Sequence, residues 1–290
     1  MQKLLYYLIV KPLSLIPLPA LYFLTTPAYW LLAYVVQYRG RVVINNLKNA
    51  FPEKSKKELL QIRRRFYRHF LDQLLESLKM LSLSCEKGVR RFKMINPEIL
   101  DPIYQEGRHI AAVIGHYNNW EYTAMMNAQM QHQFLAIYSP LKNKFMDRLV
   151  YQARSTCGAQ LVSKHDVGLY IRKKDLDPFL LLFVADQSPR WRSKLHWTTF
   201  LNQETAVATG TERYAQMLNM PVVFGHIKKI KRGHYEIELE LLTADPQKEP
   251  EGRITELHVK ALEKDILQAP EYWLWTHKRW KKKLNKNKGK

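Results

Sequence analysis

Cysteine is nearly absent from this 290-residue chain: Cys85 and Cys157 are the only two. They are too few and too scattered for a disulfide framework or a thiolate zinc site, which favours a reducing, cytosolic setting for the folded part. Acidic side chains are also scarce. The 26 Asp and Glu stand against 46 Lys and Arg, a net charge of +20 that points to acidic partners such as nucleic acid, anionic lipid or an acidic protein. There is no glycine-rich nucleotide loop and no internal repeat, which removes P-loop and solenoid architectures. The one low-complexity stretch is a basic tail over residues 281–290. What remains is 46% apolar and 25% charged, the composition of a folded protein with one substantial core or one domain plus an appendage.

Charge is missing altogether from Pro12 to Tyr38, and only Lys3 and Lys11 precede that run. Residues 19–37 approach the ~20 apolar residues that span a bilayer. The aromatic residues Tyr22, Phe23, Tyr29, Trp30, Tyr34 and Tyr38 suit an interfacial seat. Residues 1–38 are therefore expected to form a hydrophobic membrane-anchor helix. Pro27 in mid-run keeps a re-entrant or surface-lying anchor as the alternative. Arg39, Arg41 and Lys48 follow at once, and the positive-inside bias places residues 39–290 in the cytoplasm, at the inner face of the membrane. A nucleic-acid binder would explain the charge but not this apolar stretch.

Beyond the anchor, Ser55-x-x-Glu58 forms a capping box ahead of a long helical pattern that runs to about residue 83. Arg63, Arg64, Arg65 and Arg68 crowd that helix as a docking patch, either for lipid phosphate or for an acidic protein. Strands and helices then alternate. Strands are expected at 109–115, 134–138, 160–163, 179–185, 221–230 and 235–242, with helices at 120–131, 142–156, 167–173 and 253–268. This alternation predicts an α/β domain with a mixed sheet flanked by helices.

Ligand-facing residues of such sheets lie just past strand ends. His116 follows the first of these strands through Gly115, with Glu121 five residues on. An imidazole beside a carboxylate is a candidate general base with its orienting partner. The two side chains can meet only if a turn separates them, because five residues of continuous helix rotate them about 140° apart. A second such pair, His258 and Glu263, sits within one helical stretch and reads as a solvated coincidence. Arg148 or Arg154 is a candidate for stabilising an oxyanion, and Asp186 for fixing loops by hydrogen bonds.

Several motifs now coincide in order: His116-x4-Glu121; Tyr138-Ser139-Pro140 with Asn143 and Asp147 behind it; Asp186-Gln187; residues 208–211 ending in Thr211, then Arg213; and the terminal stretch 270–279. Together with the anchor they resemble the late acyltransferases of lipid A biosynthesis, within the wider lysophospholipid acyltransferase superfamily. The resemblance implies a glycerolipid acyltransferase-like fold on the bacterial inner membrane. His116 would be the base and Glu121 its partner, with Tyr138, Asn143, Gln187 and Thr211 among the substrate contacts. The middle of the tyrosine–proline motif is Ser139, where an arginine often stands. The expected reaction moves a fatty acyl chain from acyl carrier protein, with acyl-CoA as the alternative donor, to a hydroxyl of a lipid A precursor. It needs neither metal nor cofactor. Another lysolipid or aminolipid acceptor, or a lipid-binding protein without catalysis, remains as the competing reading.

Overall fold

The computed structural model describes residues 2–173, 176–189 and 194–281. The basic tail, Lys281 apart, lies outside them. Nine strands are described: β1 (Phe92–Met94), β2 (Ile110–Ile114), β3 (Gln133–Tyr138), β4 (Gln160–Ser163), β5 (Phe179–Val184), β6 (Leu195–Phe200), β7 (Gln203–Ala208), β8 (Val222–Lys231) and β9 (His234–Thr243). Seven of them form one sheet in the order β1-β9-β8-β2-β5-β3-β4. All its pairings are parallel except the β8–β9 hairpin, so the sheet is mixed, as the alternation predicted.

Alternate side chains of the central strands feed two cores. Ala111 and Val113 of β2, with Phe179, Leu181 and Phe183 of β5, join a cluster that includes Val43, Leu47, Phe66, Leu262, Trp273 and Trp275. Ile110, Ala112 and Ile114, with Leu180 and Leu182, join the opposite cluster around Tyr122, Met125 and Phe134. This period-two partition explains why both strands are apolar throughout. The five principal helices are α1 (Gly40–Ala50), α2 (Lys56–Lys79), α3 (Lys144–Arg154), α4 (Gly210–Met217) and α5 (Arg253–Gln268). The α2 capping box forms as expected. The Ser55 side chain accepts from the Glu58 amide, and the Glu58 carboxylate accepts from the Ser55 amide at 2.8 Å.

Several expectations need correction. No continuous anchor helix forms. Residues 18–35 divide into Leu18–Phe23, Thr25–Trp30 and a π-turn at Leu31–Val35, and the preceding helical run stops at Ile16 and Pro17, both extended. Among the described residues no helix is long and apolar enough to cross a membrane. Prolines break the run because each lacks an amide proton and crowds the preceding turn. The segment also packs on the body. Leu18, Leu21 and Tyr29 are buried, and the Tyr22 hydroxyl donates to Glu76 at 2.7 Å.

The second correction concerns cysteine. Cys85 and Cys157 are joined as a disulfide across 72 residues of sequence, with Cα atoms 4.9 Å apart. The tertiary fold creates that proximity, so the low count did not exclude a disulfide, and the bond removes the argument from cysteine for a reducing setting. Two further differences are local. The helix after His116 is a 3₁₀ run, Trp120–Ala128, in which the Thr123 hydroxyl bonds back to the Trp120 carbonyl at 2.8 Å and competes with an α-helical bond. The helix expected at 167–173 shortens to Val167–Tyr170. The β6–β7 hairpin falls where no strand was expected, because its mixed sequence alternates only weakly.

Candidate active site

The site lies at the carboxyl ends of two neighbouring parallel strands. Register pairs Ile114 of β2 with Val184 of β5, so His116 and Asp186 each stand two residues beyond a paired position. Gly115 permits this exit, because a Cβ there would stand 2.5 Å from a methyl of Leu262 on α5. The His116 Nδ1 is 2.6 Å from Asp186 Oδ1, and the His116 amide donates to Asp186 Oδ2 at 2.9 Å. Trp273 Nε1–H donates to the same Oδ2 at 2.7 Å. Burial by itself would raise the Asp186 carboxyl. The charge and hydrogen bond of His116, followed by the Trp273 and amide donors, outweigh it and hold the group at about 2. Asp186 is therefore ionised at neutral pH, and it orients the ring with Nδ1 toward the carboxylate and Nε2 away from it; in the neutral form of the ring this contact places the proton on Nδ1 and the lone pair on Nε2. Gln187 reaches that lone pair, with its Nε2 3.0 Å from His116 Nε2.

Glu121 is thus not the partner of His116. Its carboxylate takes two bonds from Arg154, Nε at 2.7 Å and the terminal nitrogen at 2.6 Å. Burial would lower the guanidinium pKa, but the carboxylate outweighs it and raises it. Trp120 stands between the two systems: its ring meets the His116 ring edge-on at 4.8 Å, and its Nε1–H donates to Glu121 at 3.2 Å. A turn does separate His116 from Glu121, with Asn118 at φ 52°, yet it delivers the carboxylate to a different cation.

His116, Glu121, Arg154 and Tyr138 all line one cleft of about 250 Å³. Its polar mouth narrows onto apolar walls of Ala124, Phe134, Ala136, Leu161, Leu182 and Val184. A second cleft of about 240 Å³ carries Gln187 and Thr211 and shares Ile137 and Val184 with the first. Asn143 caps α3, accepting from the amides of Phe145 and Met146, and lines neither cleft. Arg148 is exposed on α3 and lines neither cleft. The α2 arginines have different neighbours. Arg64, Arg65 and Arg68 are exposed, with Arg65 3.6 Å from Glu271 and Arg68 over the Tyr29 ring, while Arg63 is half-buried over Tyr67. Among the described residues, no cluster of His, Cys, Asp and Glu could hold a metal ion.

Sequence reasoning gave Trp273, His277 and Arg279 no individual roles, although they lie in the terminal signature. Asn46 of α1 clamps that stretch by donating to the carbonyls of Trp275 and His277, both at 2.9 Å. His277 Nε2 accepts from the Ser188 amide at 3.0 Å, next to Gln187. Arg279 is buried behind Asp186, and burial pulls its pKa down to about 10. His258 is not solvated as expected. It is 3% exposed, and burial holds it at about 4, with Asp186 opposing. Glu263, its apparent partner in sequence, accepts from the Leu201 amide instead.

His258 and His277, which burial likewise lowers to about 4, give a signed pH prediction. Unfolded, each titrates near 6.5. Between pH 6.5 and 4 the unfolded chain takes up protons that the folded chain refuses, so stability is lost as pH falls through that window. His258 alone accounts for about 3 kcal/mol. Denaturant midpoints at pH 7 and pH 4.5 should differ accordingly, and His258→Leu should narrow the gap. A midpoint unchanged over this range would contradict the buried neutral state.

A buried carboxylate that aligns an imidazole at the mouth of an apolar cleft suits removal of a proton from a hydroxyl beside a long aliphatic chain. Such a site belongs with the enzymes of acyl transfer. The chain belongs to the bacterial lipid A biosynthesis acyltransferase family, whose defining pattern matches residues 2–282. It is also similar to the lipid A biosynthesis lauroyltransferase of Escherichia coli (strain K12), with 24% identity over 268 residues, 92% of this chain and 87% of that protein.

Proposed function

We propose that this acyltransferase moves a fatty acyl chain from the thioester of acyl carrier protein to a hydroxyl of a lipid A precursor, at the cytoplasmic face of the inner membrane. The observation that carries this reading is the 2.6 Å contact between His116 Nδ1 and an ionised Asp186, which turns Nε2 into the base at the cleft. The acceptor hydroxyl displaces the Gln187 amide and gives its proton to Nε2 while its oxygen attacks the thioester carbonyl. Arg154 spends two of its five N–H donors on Glu121, and the others meet the tetrahedral oxyanion. Collapse expels the carrier thiolate, which takes the proton back from the imidazolium. Asp186 stabilises the imidazolium between these two transfers. The donor chain occupies the apolar walls of the cleft, and the acceptor approaches from the Gln187 and Thr211 side. Membrane attachment is supported by apolar side chains left exposed on the amino-terminal segment, among them Leu8, Leu15, Phe23 and Trp30. The reading is tested by supplying purified enzyme with acyl-carrier and acyl-CoA donors and weighing the lipid product by mass spectrometry. Transfer from CoA alone would overturn the donor assignment.

The cleft gives a second test. Ala136 lies on β3 between Tyr138 at the mouth and Phe134, two residues deeper on the same face. Ala136→Phe should shorten the cleft and shift the preferred donor to shorter chains. Each excluded methylene is worth about 1–3 kcal/mol, so long donors should lose tenfold or more in kcat/KM. A chain-length profile identical to wild type would place the acyl chain elsewhere.

A further inference from the structure

A groove of about 640 Å³ lies between part of the amino-terminal segment and α2, and it shares no lining residue with the His116 cleft. Tyr29, Ala33 and Tyr34 form one wall; Leu60 and Tyr67 form the apolar part of the other. Lys56, Lys57, Arg63 and Arg64 rim it, and no Asp or Glu lines it. Arg63 also borders a neighbouring hollow of about 390 Å³ with Arg39 and Arg41, again without an acid. None of these six cations has a carboxylate within salt-bridge distance among the described residues. Large apolar side chains stand exposed alongside: Trp30 (54%), Leu31 (56%) and Val35 (73%).

Four cations rim an aromatic and aliphatic trough and two more line the adjoining hollow, none opposed by a carboxylate among the described residues, which matches one chemistry, an anion joined to a hydrocarbon tail. Arginine forks suit phosphate oxygens, and the trough suits the first methylenes of an acyl chain. The exposed Trp30, Leu31 and Val35 sit where a bilayer interface would cover them. We propose that this groove and hollow seat an anionic glycerophospholipid of the host bilayer, with its phosphate held by Arg39, Arg41 and Arg63 and one acyl chain against Tyr29, Ala33, Tyr34 and Leu60. The proposal does not depend on the acyl-transfer mechanism. It also explains how a chain whose described helices do not cross a membrane holds its cleft at the lipid surface. Arg39 donates to the Thr276 carbonyl at 2.9 Å, which ties the lipid seat to the segment that carries Trp273 and His277.

The experiment is sedimentation of the full-length protein with vesicles of phosphatidylglycerol and, separately, of phosphatidylcholine. Wild type should bind the anionic vesicles strongly and the zwitterionic ones weakly. Reversal of two exposed cations, Arg41→Glu with Arg64→Glu, should weaken binding to phosphatidylglycerol at least tenfold, since each basic residue near an anionic surface contributes about 1 kcal/mol. Tyr34→Ala should weaken it further at high salt, where the apolar part of the seat carries the attachment. Arg172→Glu with Lys260→Glu is the control: it changes net charge equally at exposed positions outside the groove and should bind as wild type. If the control loses as much as the groove variant, net charge alone explains binding and the seat is refuted. Unchanged vesicle binding by the groove variant refutes it too. Loss of acyl carrier protein binding with intact vesicle binding would assign the groove to an acidic protein and equally overturn the proposal. Melting temperatures of all variants confirm folding, and Lys56→Ala with Lys57→Ala replaces any groove pair that does not fold.

Discussion

His116→Ala is expected to lower kcat by about 10²–10⁴, the loss that follows removal of a general base, with little change in the melting temperature. Asp186→Asn should come close to it. The amide keeps the shape but supplies no charge for the imidazolium, and it permits the wrong tautomer. Glu121→Gln is the discriminating variant. If Glu121 oriented the base it would match Asp186→Asn, whereas the observed pairing with Arg154 predicts a smaller kcat loss and a shifted response to donor. Steady-state kinetics on acyl-carrier donor at saturating lipid acceptor separates the three. Equal rates for Asp186→Asn and wild type would remove Asp186 from the mechanism, and an active His116→Ala enzyme would remove the base.

The largest stability effect is expected at Glu76. This α2 carboxylate is fully buried and accepts from the hydroxyls of Tyr22 (2.7 Å) and Tyr235 (2.8 Å) and from the Asn119 amide nitrogen (2.7 Å). Burial raises its pKa, with the three donors opposing. It joins three parts of the fold: the amino-terminal segment, strand β9 and the loop that begins at His116. Glu76→Ala would strand two buried donors, Tyr235 and Asn119, each worth roughly 1–3 kcal/mol when unsatisfied, and free the half-buried Tyr22 hydroxyl toward water, for a total cost of about 3–5 kcal/mol. The melting temperature should fall by roughly 10 °C. Glu76→Gln, which retains an acceptor oxygen, should recover part of that loss. Calorimetry that finds Glu76→Ala as stable as wild type would show that this triple contact carries no net stability.

The strands that could be read from the sequence were those buried on both faces or bounded by clear turns. FLLLFVA was read at 179–185 and β5 spans Phe179–Val184; residues 160–163 match β4 at both ends. The three-residue β1 and the β6–β7 hairpin escaped because neither carries enough apolar periodicity to register. The anchor helix was overcalled for a related reason. A charge-free run satisfies a hydropathy threshold regardless of proline, but Pro17, Pro19 and Pro27 act on the backbone and broke it. His116 was legible as a residue beyond a strand end. Its partner was not, because the sequence offered a carboxylate five residues away and the fold supplied one seventy residues away through parallel register. Spacing reveals neighbours along an element. It does not reveal which strands lie side by side, and the same blindness kept Cys85 from Cys157 and Trp273 from Asp186.

The Trp273 contact has a consequence for the order in which the protein comes into being. Trp273 follows Asp186 by 87 residues, and Leu274 donates its amide to the His116 carbonyl. A ribosome working at ~5–20 residues per second needs roughly 4–17 s to cross that interval. Throughout it, both strands that bear the dyad have been synthesised while Asp186 lacks its indole donor and the His116 loop lacks its clasp. A nascent chain, or a fragment cut short before residue 273, therefore holds an unfinished base. On the proposed mechanism, reactivity toward thioesters would then arrive only once residues 273 and 274 have been made, and a fragment ending before them should show no transfer.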